Sequence, residues 1–141
     1  MGDEGLSFDE SRFVCKKLDE MGIDLIEISG NVGFNENSPE IIRTDINNDK
    51  EKQCYFAKYV KIIADEVKVP ISVVGGNRNI EMMSEILNDS GIKYFSLART
   101  VLCEADLINK WAENPDYDPK CISCNKCWSL KRGNICTFNR S

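Results

Sequence analysis

The sequence predicts an α/β protein built on a parallel sheet, because short apolar runs alternate with segments of helical periodicity. Three runs are typical of strands, at residues 23–28, 71–74 and 94–97, and each is followed by a small residue. Strands that alternate with helices are joined by right-handed crossovers and lie parallel in one sheet. The 141 residues suit one domain and are enough to bury a sizeable core.

The helices are predicted from capping residues and apolar stripes. Ser7 and Glu10 form a capping-box pattern at the start of the first helix, and Gly22 suits its C-terminal end. Asn79 can cap the third helix. The four predicted helices cover residues 7–21, 55–67, 79–89 and 106–113. The polar stretch at residues 31–52 predicts a long loop, and loops of this length are usually functional or disordered.

The composition excludes several classes of function. The net charge of -5 and the lack of a broad basic region argue against nucleic-acid binding. The apolar runs are too short to span a membrane, and the acidic N-terminus is unlike a signal peptide, so we expect a cytoplasmic protein. Because the chain contains no histidine, no imidazole of its own can act as a base or a metal ligand.

Small residues and one arginine follow the ends of the predicted strands. Gly75 and Gly76 follow the second strand, and Ala98 and Arg99 follow the third. Function lies at the carboxyl ends of the strands in parallel α/β proteins, where a glycine pair lets backbone amides approach an anion. A phosphate site is therefore one interpretation. The alternative is that the glycines only form a tight turn and Arg99 only forms a surface ion pair.

The C-terminal segment is rich in cysteine. Pro115 marks a change in composition, which divides the chain into residues 1–115 and a tail at residues 116–141. Four of the seven cysteines lie in the tail, in the order Cys-x2-Cys-x2-Cys-x8-Cys, which suits a tetrahedral thiolate site for zinc or an iron–sulfur cluster. They are Cys121, Cys124, Cys127 and Cys136. The alternative is a loop without metal, in which the thiols pack as small hydrophobic groups.

Four stretches of the chain, taken in order, resemble a known family. They are GIDLIEISG at residues 22–30, PISVVGGNR at 70–78, LAR at 97–99 and CISCN at 121–125. They resemble the C-terminal part of the old yellow enzyme family of FMN-dependent NADH:flavin oxidoreductases. The branch that includes 2,4-dienoyl-CoA reductase is the nearest in pattern.

The resemblance implies the last three strand–helix units of an FMN-binding (β/α)8 barrel. It implies that FMN is held at Gly75, Gly76, Asn77, Ala98 and Arg99, and that NAD(P)H is the reductant. Ala98 stands where the family usually has glycine, and the cysteine spacing departs from that of the iron–sulfur members. No catalytic residue is assigned to this chain, because the family's catalytic residues belong to strands that precede this part.

A (β/α)8 barrel takes roughly 250 residues, so the resemblance implies that this chain is one piece of a barrel. We therefore expect it to be inactive alone and to need a missing N-terminal half or a second copy of itself. The alternative function is a non-catalytic module, which would hold metal at its four tail cysteines or associate with itself as a half-barrel.

Overall fold

The computed structural model describes residues 5–30, 43–127 and 133–139. Five α-helices and three strands lie in these ranges, together with 3-10 turns at Lys50–Lys52 and Thr137–Asn139. In chain order they are α1 (Phe8–Glu20), β1 (Ile26–Ile28), α2 (Ala57–Ala64), β2 (Ile71–Val74), α3 (Ile80–Asn88), β3 (Ile92–Ser96), α4 (Arg99–Cys103) and α5 (Leu107–Glu113). Residues 31–42, which form much of the predicted long loop, lie outside the described ranges.

The predicted helix caps are confirmed. The Ser7 Oγ accepts a hydrogen bond from the Glu10 amide at 3.2 Å, and the Glu10 carboxylate accepts one from the Ser7 amide at 2.7 Å. The Asn79 side chain accepts from the Met82 amide at 2.8 Å. Each cap satisfies amide groups that the first helical turn leaves without a partner, so short local patterns are enough to place these helix starts.

The three strands form one parallel sheet in the order β1-β2-β3, as predicted. Ile26 lies opposite Ile71, and Val73 lies opposite Phe95. The apolar side chains of the strands join those of α2 in a buried core. Gly91 brings β3 close to this helix, because a Cβ there would lie 2.8 Å from the Ala64 carbonyl oxygen.

Several elements differ from the prediction: β3 begins at Ile92 rather than at residue 94, and α2 spans Ala57–Ala64 rather than residues 55–67. The first strand begins at Ile26 rather than at residue 23, because the amide of Ile26 is the one that bonds to the Pro70 carbonyl at 3.1 Å. The short helix α4 was not predicted, since five residues are too few to show an apolar stripe. No helix in the described ranges is long and apolar enough to cross a membrane.

An ion pair joins α1 to the segment that follows α2. Arg12 Nε donates to a Glu66 carboxylate oxygen at 3.0 Å, and Arg12 Nη2 contacts the other oxygen. The hydrogen bonds from Arg12 lower the pKa of Glu66 from 4.5 to about 2. Because the folded pKa is below the unfolded one, this contribution to stability is present above pH 4.5 and is lost as the pH falls towards 2.

We therefore expect Glu66→Gln to lower the free energy of unfolding at pH 7. The difference in this free energy between the variant and the unaltered protein should shrink as the pH falls from 4.5 towards 2. Urea unfolding of both proteins at several pH values measures this difference. The matched control is Glu113→Gln at the end of α5, which removes an exposed carboxylate that forms no ion pair with the described residues and should lower the free energy of unfolding less at pH 7. A difference for Glu66→Gln that stays constant over this pH range would contradict the stabilising role of the ion pair between Arg12 and Glu66.

Candidate functional site

A small cavity lies at the carboxyl ends of β2 and β3. Its volume is about 80 Å³, enough for about two or three water molecules and thus for a group of phosphoryl size rather than a whole cofactor. The five residues predicted to bind a ligand all line it, and Arg78, Thr100, Cys121 and Ser123 line it as well. The predicted residues are Gly75, Gly76, Asn77, Ala98 and Arg99.

The glycine pair forms the floor of the cavity and has the conformation that glycine favours. Gly75 has φ +117° and Gly76 has φ +72°. A Cβ on Gly75 would lie 2.6 Å from the Phe56 ring and 2.7 Å from the Tyr55 ring. These aromatic rings cover the turn from the side of α2, so any larger residue would displace them.

Asn77 ties the ends of the two strands together. Its Nδ2 donates to the Val73 carbonyl at 2.7 Å and to the Ser96 carbonyl at 3.0 Å. Its Oδ1 is buried and has no hydrogen-bond partner among the described residues. A buried polar atom without a partner is uncommon, and it marks a place where a ligand or an ordered water would supply a donor.

Arg99 brings positive charge to the cavity. Its Nη1 donates to the Arg43 carbonyl at 3.1 Å and also contacts the Asn125 Oδ1. Both partners are neutral oxygens, and none of the ion pairs in the described part of the chain includes Arg99. No carboxylate of the described residues therefore neutralises its charge, which favours the binding of an anion.

A second group of polar residues lies on the same sheet, on the face turned away from the core. The hydroxyl groups of Ser72 and Ser96 are 2.8 Å apart, and the Ser96 hydroxyl contacts the Glu27 carboxylate. Glu27 is exposed, and Ser72 is buried. Glu27 thus takes part in a hydrogen-bonded row across the three strands.

Sequence reasoning missed Arg78, which is the largest fully buried side chain among the described residues. It donates through Nη1 to the Cys121 carbonyl at 2.7 Å and through Nη2 to the Pro119 carbonyl at 2.8 Å. The only signal in the sequence was its position two residues after the glycine pair. Its partners lie more than 40 residues away along the chain, so no local pattern could have indicated them.

The prediction of a metal centre in the tail is wrong. Among the residues in the described ranges, no group of three or more Cys, Asp or Glu side chains is placed to hold a metal ion. Cys121 instead lines the cavity, where Arg78 holds its carbonyl oxygen. Cys136 interacts with Cys103.

The thiol groups of Cys103 and Cys127 have raised pKa values. Burial, and then a hydrogen bond with Cys136, raises the pKa of Cys103 to about 12. Burial also raises the pKa of Cys127. Cys15, Cys54 and Cys103 are buried.

Comparison with known proteins identifies relatives of more than one kind. A bilirubin reductase of Mediterraneibacter gnavus is 25% identical over 126 residues, which is 89% of this chain and 19% of that protein. The imidazole glycerol phosphate synthase subunit HisF of Helicobacter hepaticus is 34% identical over 87 residues, which is 62% of this chain and 34% of that protein. The chain thus spans about a fifth to a third of the length of these relatives. No solved structure matches.

The profile of the family described as "Histidine biosynthesis protein" matches residues 31–125. This match and several HisF subunits show that the assignment to the old yellow enzyme family is wrong. The predictions that depended on it are wrong as well: FMN, NAD(P)H, the NADH:flavin oxidoreductase activity and the iron–sulfur or zinc cofactor. The alternative of a metal-holding or self-associating module is not supported either.

The physical reason for the error is that the glycine pair and the arginine after the strands are not distinctive of one family. A glycine turn after one strand and an arginine after the next suit the phosphate site of many parallel barrels, whatever the rest of the ligand is. These residues therefore could not distinguish one barrel family from another. The profile match, which covers β2, α3 and β3 as well as the strand ends, does so: the chain belongs to the histidine biosynthesis protein family.

Proposed function

We propose that this chain forms the phosphate-binding part of a (β/α)8 barrel enzyme of histidine biosynthesis, and that the cavity at the ends of β2 and β3 holds a phosphoryl group of a small phosphate ester. The observation that carries the proposal is the convergence of the glycine turn, Asn77 and Arg99 on one cavity of about 80 Å³. The name of the HisF relatives, imidazole glycerol phosphate synthase, points to the same chemical class of ligand.

The topology supports a place near the end of a barrel. Sequential strands lie next to each other and parallel, as in (β/α)8 barrels. The common phosphate site of such barrels is built from the loops after the seventh and eighth strands and from a short extra helix. Here β2 and β3 carry those loops, and α4 follows β3 at once. We assign β1, β2 and β3 to the sixth, seventh and eighth barrel strands.

The rest of the barrel must come from other strands, because three strand–helix units cannot close one. The hydrogen-bonded row of Glu27, Ser72 and Ser96 lies on the face that points to the interior of such a barrel. This assignment gives polar residues on β1 and β3 access to the mouth where a substrate would lie. The cytoplasmic location expected from the sequence belongs to this proposal as well.

Arg99→Met tests the site directly. A hydrogen bond to a charged group contributes about 1.5–3 kcal/mol, so we expect the affinity for inorganic phosphate to fall by roughly ten- to a hundredfold. Phosphorus NMR titration or calorimetry of the whole chain measures the affinity. Lys93→Met removes the same charge from an exposed position on β3, outside the cavity, and should change the affinity less than about twofold.

Failure of the unaltered chain to bind phosphate would overturn the proposed function. Equal losses for Arg99→Met and Lys93→Met would also overturn it, because they would indicate only general attraction of an anion by positive charge.

A further inference from the structure

A segment of the tail covers the cavity and is held there by two buried side chains. We call residues 118–125 the docking segment. Arg78, whose side chain is 2% exposed, donates to the Pro119 and Cys121 carbonyls and pairs with Asp118 at 3.2 Å. On the other side, the Glu104 carboxylate accepts from the Lys120 amide at 2.6 Å. The start of the segment is thus bonded to residues before α3 and after α4.

The docking segment turns sharply towards the cavity. Ser123 has φ 55° and Asn125 has φ 58°, a left-handed conformation that is uncommon for serine and easier for asparagine. Ser123 is 2% exposed and lines the cavity beside Cys121. A residue stays in such a conformation where its surroundings determine it, and here the bonds at both ends of the segment do so.

At the end of the turn, Asn125 forms a junction between two arginine residues. Its Oδ1 contacts Arg99 Nη1, and its Nδ2 donates to the Arg43 carbonyl at 3.2 Å. The same carbonyl accepts from Arg99 Nη1 at 3.1 Å. Both hydrogen bonds of Arg99 to the described residues use one nitrogen, whereas a guanidinium has five N–H donors, so Nη2 and Nε have no partner among these residues and can serve an anion.

We propose that Asn125 is a positioning residue for the phosphoryl group: it orients Arg99 without neutralising its charge, and Arg78 anchors the segment that carries it. The inference rests on the proposed function of the cavity. An amide oxygen accepts a hydrogen bond from the guanidinium and remains neutral, whereas a carboxylate in the same place would compete with the anion for Arg99. The tail therefore contributes to the site through an amide.

Two substitutions at Asn125 distinguish a role in orienting Arg99 for the phosphoryl group from a purely structural role. Asn125→Asp keeps an acceptor for Arg99 but adds a negative charge, and Asn125→Ala removes the acceptor and adds no charge. Both lose the donor to the Arg43 carbonyl, so this loss cancels in their comparison. If the role is only structural, Asn125→Ala is the more damaging change, because Asn125→Asp gains an ion pair with Arg99.

We expect the opposite order for binding of inorganic phosphate. Asn125→Asp should weaken it by about tenfold or more, and Asn125→Ala by only about two- to fivefold. Relative to the unaltered chain, the affinity of Asn125→Asp should recover as the pH falls and the new carboxylate takes up a proton. Thermal unfolding of both variants checks that each is folded, and Asn125→Asp should be the more stable of the two.

Phosphate binding by Asn125→Asp that equals or exceeds that of Asn125→Ala would overturn the inference and leave the proposed function intact, provided that Arg99→Met still weakens binding. The inference would also be overturned if the ratio of the phosphate affinities of Asn125→Asp and the unaltered chain were the same at every pH. Absence of phosphate binding by the unaltered chain would instead overturn the proposed function, and this inference with it.

Discussion

Replacing Gly75 with alanine is expected to lower the free energy of unfolding by about 2–5 kcal/mol. Two effects add at this position. With φ +117°, an L-residue is strained, and the new Cβ would lie 2.6 Å from the Phe56 ring and 2.7 Å from the Tyr55 ring. Because both rings belong to the two residues that precede α2, the substitution pushes the turn away from the start of this helix. Urea unfolding measures the loss.

Gly22→Ala is the matched control for the effect of conformation alone. Gly22 has φ +80°, and no atom lies within 4 Å of the position that a Cβ would take, so only the backbone strain of about 1–2 kcal/mol is expected. If the two substitutions cost the same, the contact with the aromatic rings does not matter. If Gly75→Ala is stabilising, the close packing of this turn is contradicted.

Replacing Arg78 with methionine is expected to cost about 2–4 kcal/mol of stability, because one buried and one partly buried carbonyl group lose their donors. Methionine fills part of the same space, so the effect reports on the hydrogen bonds to Pro119 and Cys121 rather than on a large cavity. Release of the docking segment should also make the Cys121 thiol react faster with iodoacetamide. Peptide mass spectrometry of partly alkylated protein measures that rate.

Lys126→Met is the control for loss of positive charge at an exposed position of the tail, with an expected change within about 0.5 kcal/mol. Arg78→Lys keeps the charge but cannot reach both carbonyls as a planar guanidinium does, so it should fall between Arg78→Met and the unaltered chain. A Cys121 reaction rate that is equal in Arg78→Met and in the unaltered chain would contradict the anchoring role of Arg78.

Much of the fold could be predicted because its signals are local. The capping box at Ser7 and the cap at Asn79 are read within four residues of the chain, and both are confirmed. The parallel sheet follows from the alternation of strands with helices. Boundaries were less certain: β1 begins three residues later than predicted, because the ladder begins where Pro70 offers its carbonyl.

The candidate site was predicted only in part. The residues that follow the strands could be named from the sequence, because the carboxyl ends of parallel strands meet at one edge. The fate of the cysteines could not, since their spacing is compatible with a metal site, and only packing shows that Cys103 interacts with Cys136. The family also could not be identified from the residues after the strands, because a glycine turn and an arginine at these positions suit the phosphate site of many parallel barrels.

The sequence by itself therefore determined the α/β class, the order of helices and parallel strands, and the glycine and arginine residues after β2 and β3, because each depends on neighbours in the chain. Only the tertiary structure decided that Arg78 is buried against the tail, that Asn125 contacts Arg99, and that the tail thiols in the described ranges do not gather around one centre. These contacts join residues 26 to 43 positions apart, so they follow from how the elements pack and not from any local pattern.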